Sequence, residues 1–206
     1  MARRKRKIDR ESGKLADTSL IVIASEDKYA VQQYFDLFES MRIQFEVLNT
    51  EDGKSSPQKV LQRLKEYQDE FQIGEEDQFW VVTDIDHWAN ANHIKNLVEV
   101  LRASKQREIS IALSNPCFDL WLLLHFTGFP SDGVGQCDEV GKLIRDAVGS
   151  YNKTRVFDLP FNIDNVKRAV NSAKTNDPGG KILESAGTHI YRILDALVQS
   201  GVVTIG

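Results

Sequence analysis

Four carboxylates in the sequence stand at or just after the ends of apolar stretches: Glu26, Asp84, Asp86 and Asp119. Asp84 and Asp86 are two residues apart, so in an extended chain their side chains face the same side. Crowded carboxylates raise one another's pKa unless a cation neutralises them. Mg²⁺ suits a few carboxylates together with substrate phosphate, and such a metal activates water for phosphoryl transfer. The pattern therefore predicts a metal site formed by Glu26, Asp84 and Asp86.

Other charged residues near these positions have competing interpretations. Asp27 is expected to cap the helix that follows it, because an acidic side chain is stabilised at a helix N-terminus. Asp119 stands among apolar side chains, where a carboxylate needs a partner or a cation, so it is a candidate for the same site. Lys153, two residues after Tyr151, is either a group that stabilises a phosphate or an ordinary solvated lysine. We expect His125 to be a hydrogen-bonded core residue.

The elements that must position these residues alternate between strand and helix. Apolar or alternating runs predict strands at residues 19–24, 43–48, 79–83 and 109–113. Apolar residues at helical spacing predict helices at residues 30–41, 57–67 and 94–101. This order predicts an α/β fold with a mainly parallel four-stranded sheet and helices on both faces. Such sheets bind ligands outside the carboxyl ends of their strands, which is where the carboxylates stand.

The pattern changes to helices alone after residue 115, with candidates at residues 117–127, 138–149, 162–175 and 188–200. We expect three parts in the chain: a basic flexible arm at residues 1–17, an α/β domain at 18–127, and a helical C-terminal extension at 128–206 that packs on it. The sequence leaves open whether the extension is a subdomain of its own or simply covers the sheet.

Charge is unevenly distributed along the 206 residues, whose formal net charge is −4. Residues 1–14 hold seven basic and two acidic side chains, which leaves 19 basic and 28 acidic residues, a net charge of −9, on the rest. A basic arm on an acidic body can neutralise phosphates. The alternative is a solvated tail.

Several classes of protein are excluded by what the sequence lacks. No apolar stretch approaches the about 20 residues of a transmembrane helix, and no secretory signal follows the basic N-terminus. Cys117 and Cys137 are its two cysteines, too few for a four-thiolate metal site. We therefore expect a reduced, cytoplasmic protein without a membrane partner. The absence of a P-loop pattern argues against hydrolysis of nucleoside triphosphates by this chain.

At the acidic residues the chain resembles the RloB-like branch of the Toprim proteins. The resemblance is carried by residues 21–27 with Tyr34-Phe35, by 81–86, by 114–126 and by 186–191. Residues 114–126 are close to the family's most distinctive signature, Ser-Asn-Pro-Cys-Phe-Glu-Leu-Trp-Leu-Leu-Leu-His-Phe. Two positions depart from the pattern: Asp27 replaces a frequent glycine after Glu26, and Asp119 replaces the signature glutamate.

This resemblance implies a Toprim fold, shared with topoisomerases, primases and OLD-type nucleases, which act on nucleic-acid phosphodiesters with Mg²⁺ (or Mn²⁺). It makes Glu26 a general base or metal ligand, Asp84 and Asp86 Mg²⁺ ligands, and Asp119 a candidate second-metal ligand. It also implies an ABC/AAA-type ATPase encoded nearby as partner and a role in bacterial restriction or abortive phage defence. The implied substrate is DNA or RNA, with tRNA among the candidates.

Two other functions stay open. Nucleic-acid binding usually needs positive charge, and the acidic body therefore favours a non-catalytic sensor or regulatory subunit of an ATPase-containing defence complex. An apolar run ending in Asp84-x-Asp86 is also typical of haloacid-dehalogenase phosphohydrolases. In those enzymes the motif follows the first strand, whereas here it follows the third.

Overall fold

The computed structural model describes residues 3–8, 17–50, 56–85, 99–130 and 133–206. Its strands are β1 (Ser19–Ser25), β2 (Phe38–Glu39), β3 (Ile43–Leu48), β4 (Gln78–Asp84), β5 (Ile109–Asn115), β6 (Gly187–Thr188) and β7 (Thr204–Ile205). Its helices are α1 (Ala30–Phe35), α2 (Pro57–Glu70), α3 (Asp119–Leu123), α4 (Cys137–Val148), α5 (Ile163–Thr175) and α6 (Tyr191–Gln199). Residues 99–105 are also helical; the first part of that predicted helix, residues 94–98, lies outside the described residues.

The central sheet has five strands in the order β3-β1-β4-β5-β6. Strands β3, β1, β4 and β5 are parallel to one another, and the two-residue β6 is antiparallel to β5. The prediction of a mainly parallel four-stranded sheet with helices is confirmed. Because successive parallel strands need crossover connections, the helical segments between them pack on the two faces of the sheet.

Both faces of the sheet are covered by apolar side chains from helices. On β1, Leu20, Val22 and Ala24 point into a cluster with Val60 and Leu64 of α2. The alternate residues Ile21 and Ile23 point to the other face, into a cluster shared with α1 and α3. This period of two is the geometry of a strand that is buried on both sides.

The C-terminal helices contribute to the second of these clusters. Val140 of α4, Val166 of α5 and Leu194 of α6 are all fully buried in the same core as Ile21 and Ile23 of β1. The apolar stripes of these helices are therefore buried against the sheet and α1, and they form one continuous core with them.

Two predicted helices are shorter than expected. The helix predicted over residues 30–41 ends at Phe35, because Phe38 and Glu39 leave it to pair with Ile205 and Thr204 at the end of the chain. The helix predicted over 117–127 is regular only at Asp119–Leu123 and continues as turns. In both cases apolar spacing continues beyond the regular helix, because the next residues are buried by other contacts.

The described part of the basic arm, residues 3–8, lies along the chain rather than away from it. The backbone of Arg4 forms a parallel β-bridge with that of Phe71, and the Arg4 side chain forms an ion pair with Glu70 at 2.6 Å. Arg6 pairs with Asp77, whose side chain is 1% exposed. Lys7 pairs with Glu46 at 3.2 Å. These three cations are therefore paired with acidic residues of the same chain; Arg10 and Lys14 of the arm lie outside the described residues.

Cys117 and Cys137 are joined by a disulfide between the segment before α3 and the start of α4. Their Cα atoms are 5.9 Å apart, within the range that a disulfide bridges. The expectation of reduced thiols therefore differs from the structure. Among the described residues, no helix is long and apolar enough to cross a membrane.

Candidate functional site

The carboxyl ends of β1 and β4 form the centre of the candidate site. The two strands are adjacent and parallel, but the chain runs from β1 to β3 on one side and later to β4 on the other. The helices that follow them also diverge: α1 packs in one apolar cluster, and the segment around Val100 packs in the other. Parallel sheets bind ligands at such switch points.

Glu26 and Asp84 are brought together at this point. The backbone N–H of Asp84 donates a hydrogen bond to Oε1 of Glu26, and the backbone N–H of Phe118 donates to Oδ1 of Asp84 at 2.8 Å. Both acidic side chains are half-buried. The Glu26 carboxylate therefore contacts the backbone of the first acid of the predicted DxD pair, whereas Asp86 lies outside the described residues.

Asp27 has two roles in the structure. Its Oδ1 accepts hydrogen bonds from the N–H groups of Tyr29, at 2.7 Å, and of Ala30, which confirms the prediction that it caps α1. Its Oδ2 lies 3.5 Å from Nζ of Lys153. The carboxylate therefore fixes the start of a helix and also faces the candidate site.

Asp119 lies at the start of α3 with a side chain that is 6% exposed, and its Oδ1 is 3.8 Å from Nζ of Lys153. A buried carboxylate is stabilised by such a nearby ammonium group. Lys153 is thus close to both Asp27 and Asp119 and joins the end of β1 to the start of α3. Lys153 is 45% exposed and is also paired with two carboxylates, so its position is compatible with both interpretations.

The electrostatics show that these acids act as one cluster. Burial works to lower the pKa of Lys153, but the charges of Asp119, Asp27 and Asp84 outweigh it and raise that pKa above its usual value. Burial, and then the charge of Asp119, raises the pKa of Tyr151 well above its usual value, with Asp27 and Asp84 adding to the effect. Lys153 is therefore a cation, and Tyr151 a neutral phenol, at any physiological pH.

The loop that carries Lys153 is held against α1 by one amide side chain. Nε2 of Gln33 donates to the carbonyl of Thr154 at 2.8 Å, and Oε1 of Gln33 accepts from the N–H of Val156 at 2.7 Å. Within the loop, Oδ1 of Asn152 accepts from the N–H of Thr154 at 3.0 Å. This pair of contacts places Lys153 beside residues more than a hundred positions earlier in the chain.

Arg63 is a further cation at the end of β1 that no sequence motif indicated. Its guanidinium donates to the carbonyl of Ser25 and, at 2.8 Å, to Oγ1 of Thr50. It projects from α2, so a residue on the opposite face of the sheet from α1 fixes the backbone just before Glu26. Nothing in its local sequence distinguishes it from other helix-surface arginines.

His125 belongs to the core, as predicted. It is fully buried, its Nε2 lies 3.0 Å from Oη of Tyr34, and its Nδ1 lies 2.9 Å from the carbonyl of Trp121. Burial lowers the pKa of His125 to about 3. A neutral imidazole with both nitrogens engaged is a structural group, and His125 is no part of the candidate site.

The donor set fits a hard divalent cation in its chemistry. The described acids around the strand ends, Glu26, Asp27, Asp84 and Asp119, supply carboxylate oxygens, which Mg²⁺ and Mn²⁺ prefer. Within the described residues alone, no group of three or more His, Cys, Asp or Glu side chains is arranged to hold a metal ion. Asp86, the third predicted ligand, falls outside those residues, so the proposed metal set is Glu26 and Asp84 completed by Asp86.

Comparison with known protein families gives a match over most of the chain. The family profile described as RloB-like protein matches residues 21–197, a span that includes Glu26, Asp84, Asp86 and Asp119. No curated protein and no solved structure shows significant similarity to the chain.

Proposed function

Because this chain belongs to the RloB-like family, we propose that it is a metal-dependent nuclease that hydrolyses phosphodiester bonds of DNA or RNA. We further propose that it is the effector of a bacterial anti-phage or abortive-infection system and acts with an ABC/AAA-type ATPase. Family membership supports the defence role and the partner. The nuclease activity is supported by the chemistry of the strand-end carboxylates.

One observation carries the proposal: the carboxylate of Glu26 and the backbone of Asp84 are in direct contact at the switch point of a parallel sheet. Acids held together at such a point, with Asp27 and Asp119 nearby, create strong negative potential. Lys153 pairs directly with two of these acids, Asp27 and Asp119. A divalent cation with substrate phosphate is the ligand that such a surface stabilises best.

In this proposal, Glu26, Asp84 and Asp86 would hold Mg²⁺ or Mn²⁺. When bound, the metal would supply Lewis-acid stabilisation of phosphate oxygens and activation of a water molecule. The chain's own contribution is positional: the Phe118 N–H orients the Asp84 carboxylate and the Asp84 N–H orients that of Glu26. Glu26 is the candidate base that accepts a proton from the attacking water.

Lys153 supplies the positive charge that a phosphate needs at this site. Its side chain is 45% exposed, so a substrate oxygen can reach the ammonium group while Asp27 and Asp119 hold the lysine stem in place. A fixed cation aimed at developing negative charge stabilises the transition state of phosphate hydrolysis. Asp119 therefore acts here as a positioning residue for Lys153, and the role of second-metal ligand remains a separate proposal for it.

The test is a cleavage assay on the purified chain, alone and with the neighbouring ATPase, on single-stranded and double-stranded DNA and on tRNA. We expect cleavage with Mg²⁺ or Mn²⁺ that EDTA abolishes, and strong activity only in the complex, because a body of net charge −9 repels a polyanion. The absence of metal-dependent cleavage from the intact complex on every substrate would refute the proposal.

A regulatory subunit is the second candidate, and one observation favours it. Lys153 already neutralises part of the acidic cluster through Asp27 and Asp119, as expected of a site whose charges are paired within the chain. A regulatory subunit should change the ATPase rate of its partner, and its Asp84→Asn, Asp86→Asn double variant should still protect cells from phage. Loss of protection in that variant favours the nuclease.

A further inference from the structure

A groove of about 240 Å³ lies beside residues 109–111 of β5, on the opposite end of the sheet from the carboxylates. It forms because β6 pairs with β5 only at Ser114 and Asn115, which leaves the first half of that strand edge uncovered. Trp80 of β4 and Ser110 of β5, which are paired neighbours in the sheet, line its floor.

Three cations line this groove: Lys105, Lys181 and Arg192. They come from the helical segment before β5, from the loop after α5 and from α6. Arg192 donates to Asp177 at 2.6 Å, but no acidic partner of Lys105 or Lys181 occurs among the residues that the structure describes. Positive charge is therefore concentrated here on an otherwise acidic chain.

The two lysines are close enough to repel one another. Contact with the side chain of Lys105, and then the positive charge of Lys105, lower the pKa of Lys181. Like charges held together are relieved by an anion that binds between them. A phosphate group matches this arrangement, since an ammonium group is a common point-charge partner for phosphate.

Trp80 adds an aromatic surface to the same groove. Its ring is half-buried, and its Nε1 donates to Oε1 of Gln78 at 3.1 Å, which holds the indole at the groove. Proteins bind single-stranded nucleic acid by combining two features. Cationic side chains contact the phosphate backbone of the nucleic acid, and an aromatic side chain stacks against a base.

We propose that this groove binds a single-stranded segment of nucleic acid, with phosphates at Lys105 and Lys181 and a base against Trp80. The inference rests on the proposed nuclease function and adds to it the path of the substrate. Trp80 and Asp84 are four residues apart on β4, about 13 Å at about 3.3 Å per residue. A single strand of a few nucleotides therefore spans the distance from the groove at one end of the sheet to the carboxylates at the other.

The test measures binding of fluorescent single-stranded DNA and RNA oligonucleotides in EDTA, where no metal-dependent cleavage occurs. The test protein is the full chain with Lys105→Gln and Lys181→Gln. A matched control carries Lys142→Gln and Lys167→Gln, which remove the same charge from exposed positions on α4 and α5. Binding is measured from 50 to 300 mM salt, and circular dichroism checks that both variants fold.

We expect the groove variant to lose about 1.4 from the slope of log K against log salt, because each phosphate contact with a single strand contributes about 0.7. At 0.1 M salt this corresponds to about 25-fold weaker binding, whereas the control variant should differ from wild type by much less. Equal losses in the two variants, or no loss in either, would overturn the inference. So would unchanged nucleic-acid binding with loss of ATPase binding, which would assign the groove to an acidic segment of the partner.

These outcomes are separable from failure of the nuclease proposal. Salt-dependent binding that requires Lys105 and Lys181, in a chain that cleaves nothing with any metal, would refute the nuclease and keep the groove. Normal cleavage with unchanged KM in the groove variant would refute the groove and keep the nuclease.

Discussion

The backbone N–H of Asp84 donates a hydrogen bond to the carboxylate of Glu26, which lies 58 positions earlier in the chain. The Asp84 carboxylate in turn accepts from the N–H of Phe118. Backbone groups of β4 and of the segment before α3 therefore orient the two acids. Amide variants keep an oxygen that can accept these bonds and remove only the charge, so Glu26→Gln and Asp84→Asn separate chemistry from folding.

The basic arm should contribute to stability through one residue. Arg6→Ala leaves Asp77, whose side chain is 1% exposed, without its guanidinium partner, and should destabilise the fold by about 2 kcal/mol. The matched control is Arg4→Ala: its ion pair with Glu70 is largely solvent-exposed, and its loss should cost less than about 1 kcal/mol. Urea unfolding of both variants checks this. Equal effects would show that the contact of Arg6 with Asp77 adds nothing.

The sequence predicts those structural features that are caused by residues close together in the chain, and it misses those caused by distant residues. The strands β1, β4 and β5 follow from short apolar runs that are typical of buried strands. The contact of Glu26 with the Asp84 backbone follows from their places at parallel strand ends. The end of α1 does not follow from the local sequence, because Phe38 pairs as a strand residue with Ile205, far away in the chain.

The position of Lys153 has the same kind of non-local cause. Its loop is placed by Gln33, whose amide bonds residues 121 and 123 positions later, and no local pattern encodes that contact. The cationic groove escaped prediction because Lys105, Lys181 and Arg192 are far apart in sequence and meet only when β5, the loop after α5 and α6 come together. Composition alone indicated an acidic body without such a surface.

Asp177 should make stability depend on pH in the acid range. Burial opposes ionisation, but hydrogen bonds from Tyr191 and Arg192 lower the pKa of Asp177 from 3.8 to about 2. A depressed pKa stabilises the fold above the unfolded value of 3.8, and this contribution is lost as the pH falls through about 2. It amounts to about 2 kcal/mol at pH 7 and about half of that near pH 3.

The measurement compares urea unfolding of wild type and Asp177→Asn at pH 7 and pH 3. The difference between them should shrink as the pH is lowered. Asp146→Asn, at an exposed position of α4, is the control and should be nearly neutral at both values. A difference that is constant with pH would show that the Asp177 charge is not what stabilises the loop after α5.

Lys153→Gln should lower cleavage by the complex by about 100-fold, because a fixed charge at the reacting phosphate is removed. Its effect on stability at pH 7 should stay below about 1 kcal/mol, since the side chain is 45% exposed. Lys153→Arg keeps the charge and should retain part of the activity. Normal cleavage by the Lys153→Gln variant would show that Lys153 has no role in the reaction. A stability loss of several kcal/mol would show that its main role is to hold the fold.

The pH dependence of that stability difference has a defined sign. The pKa of Lys153 is raised in the folded chain, so its contribution is complete below the unfolded pKa of about 10.4. It is lost as the pH rises further, through the folded value. Unfolding of wild type and Lys153→Gln between pH 7 and pH 11 should therefore give a constant difference up to about pH 10 and a smaller one above. A difference that grows with pH would contradict the assignment of the Asp119 and Asp27 ion pairs.

The most direct test of the central claim is cleavage by the complex of chain and ATPase carrying Asp84→Asn together with Asp86→Asn. Glu75→Gln, an exposed acid before β4, serves as the control. We expect the double variant to fold, to bind the ATPase, and to lose Mg²⁺-dependent cleavage by more than about 100-fold, beyond the 10- to 100-fold typical of groups that only support metal ligands. Full cleavage by the double variant would contradict the account.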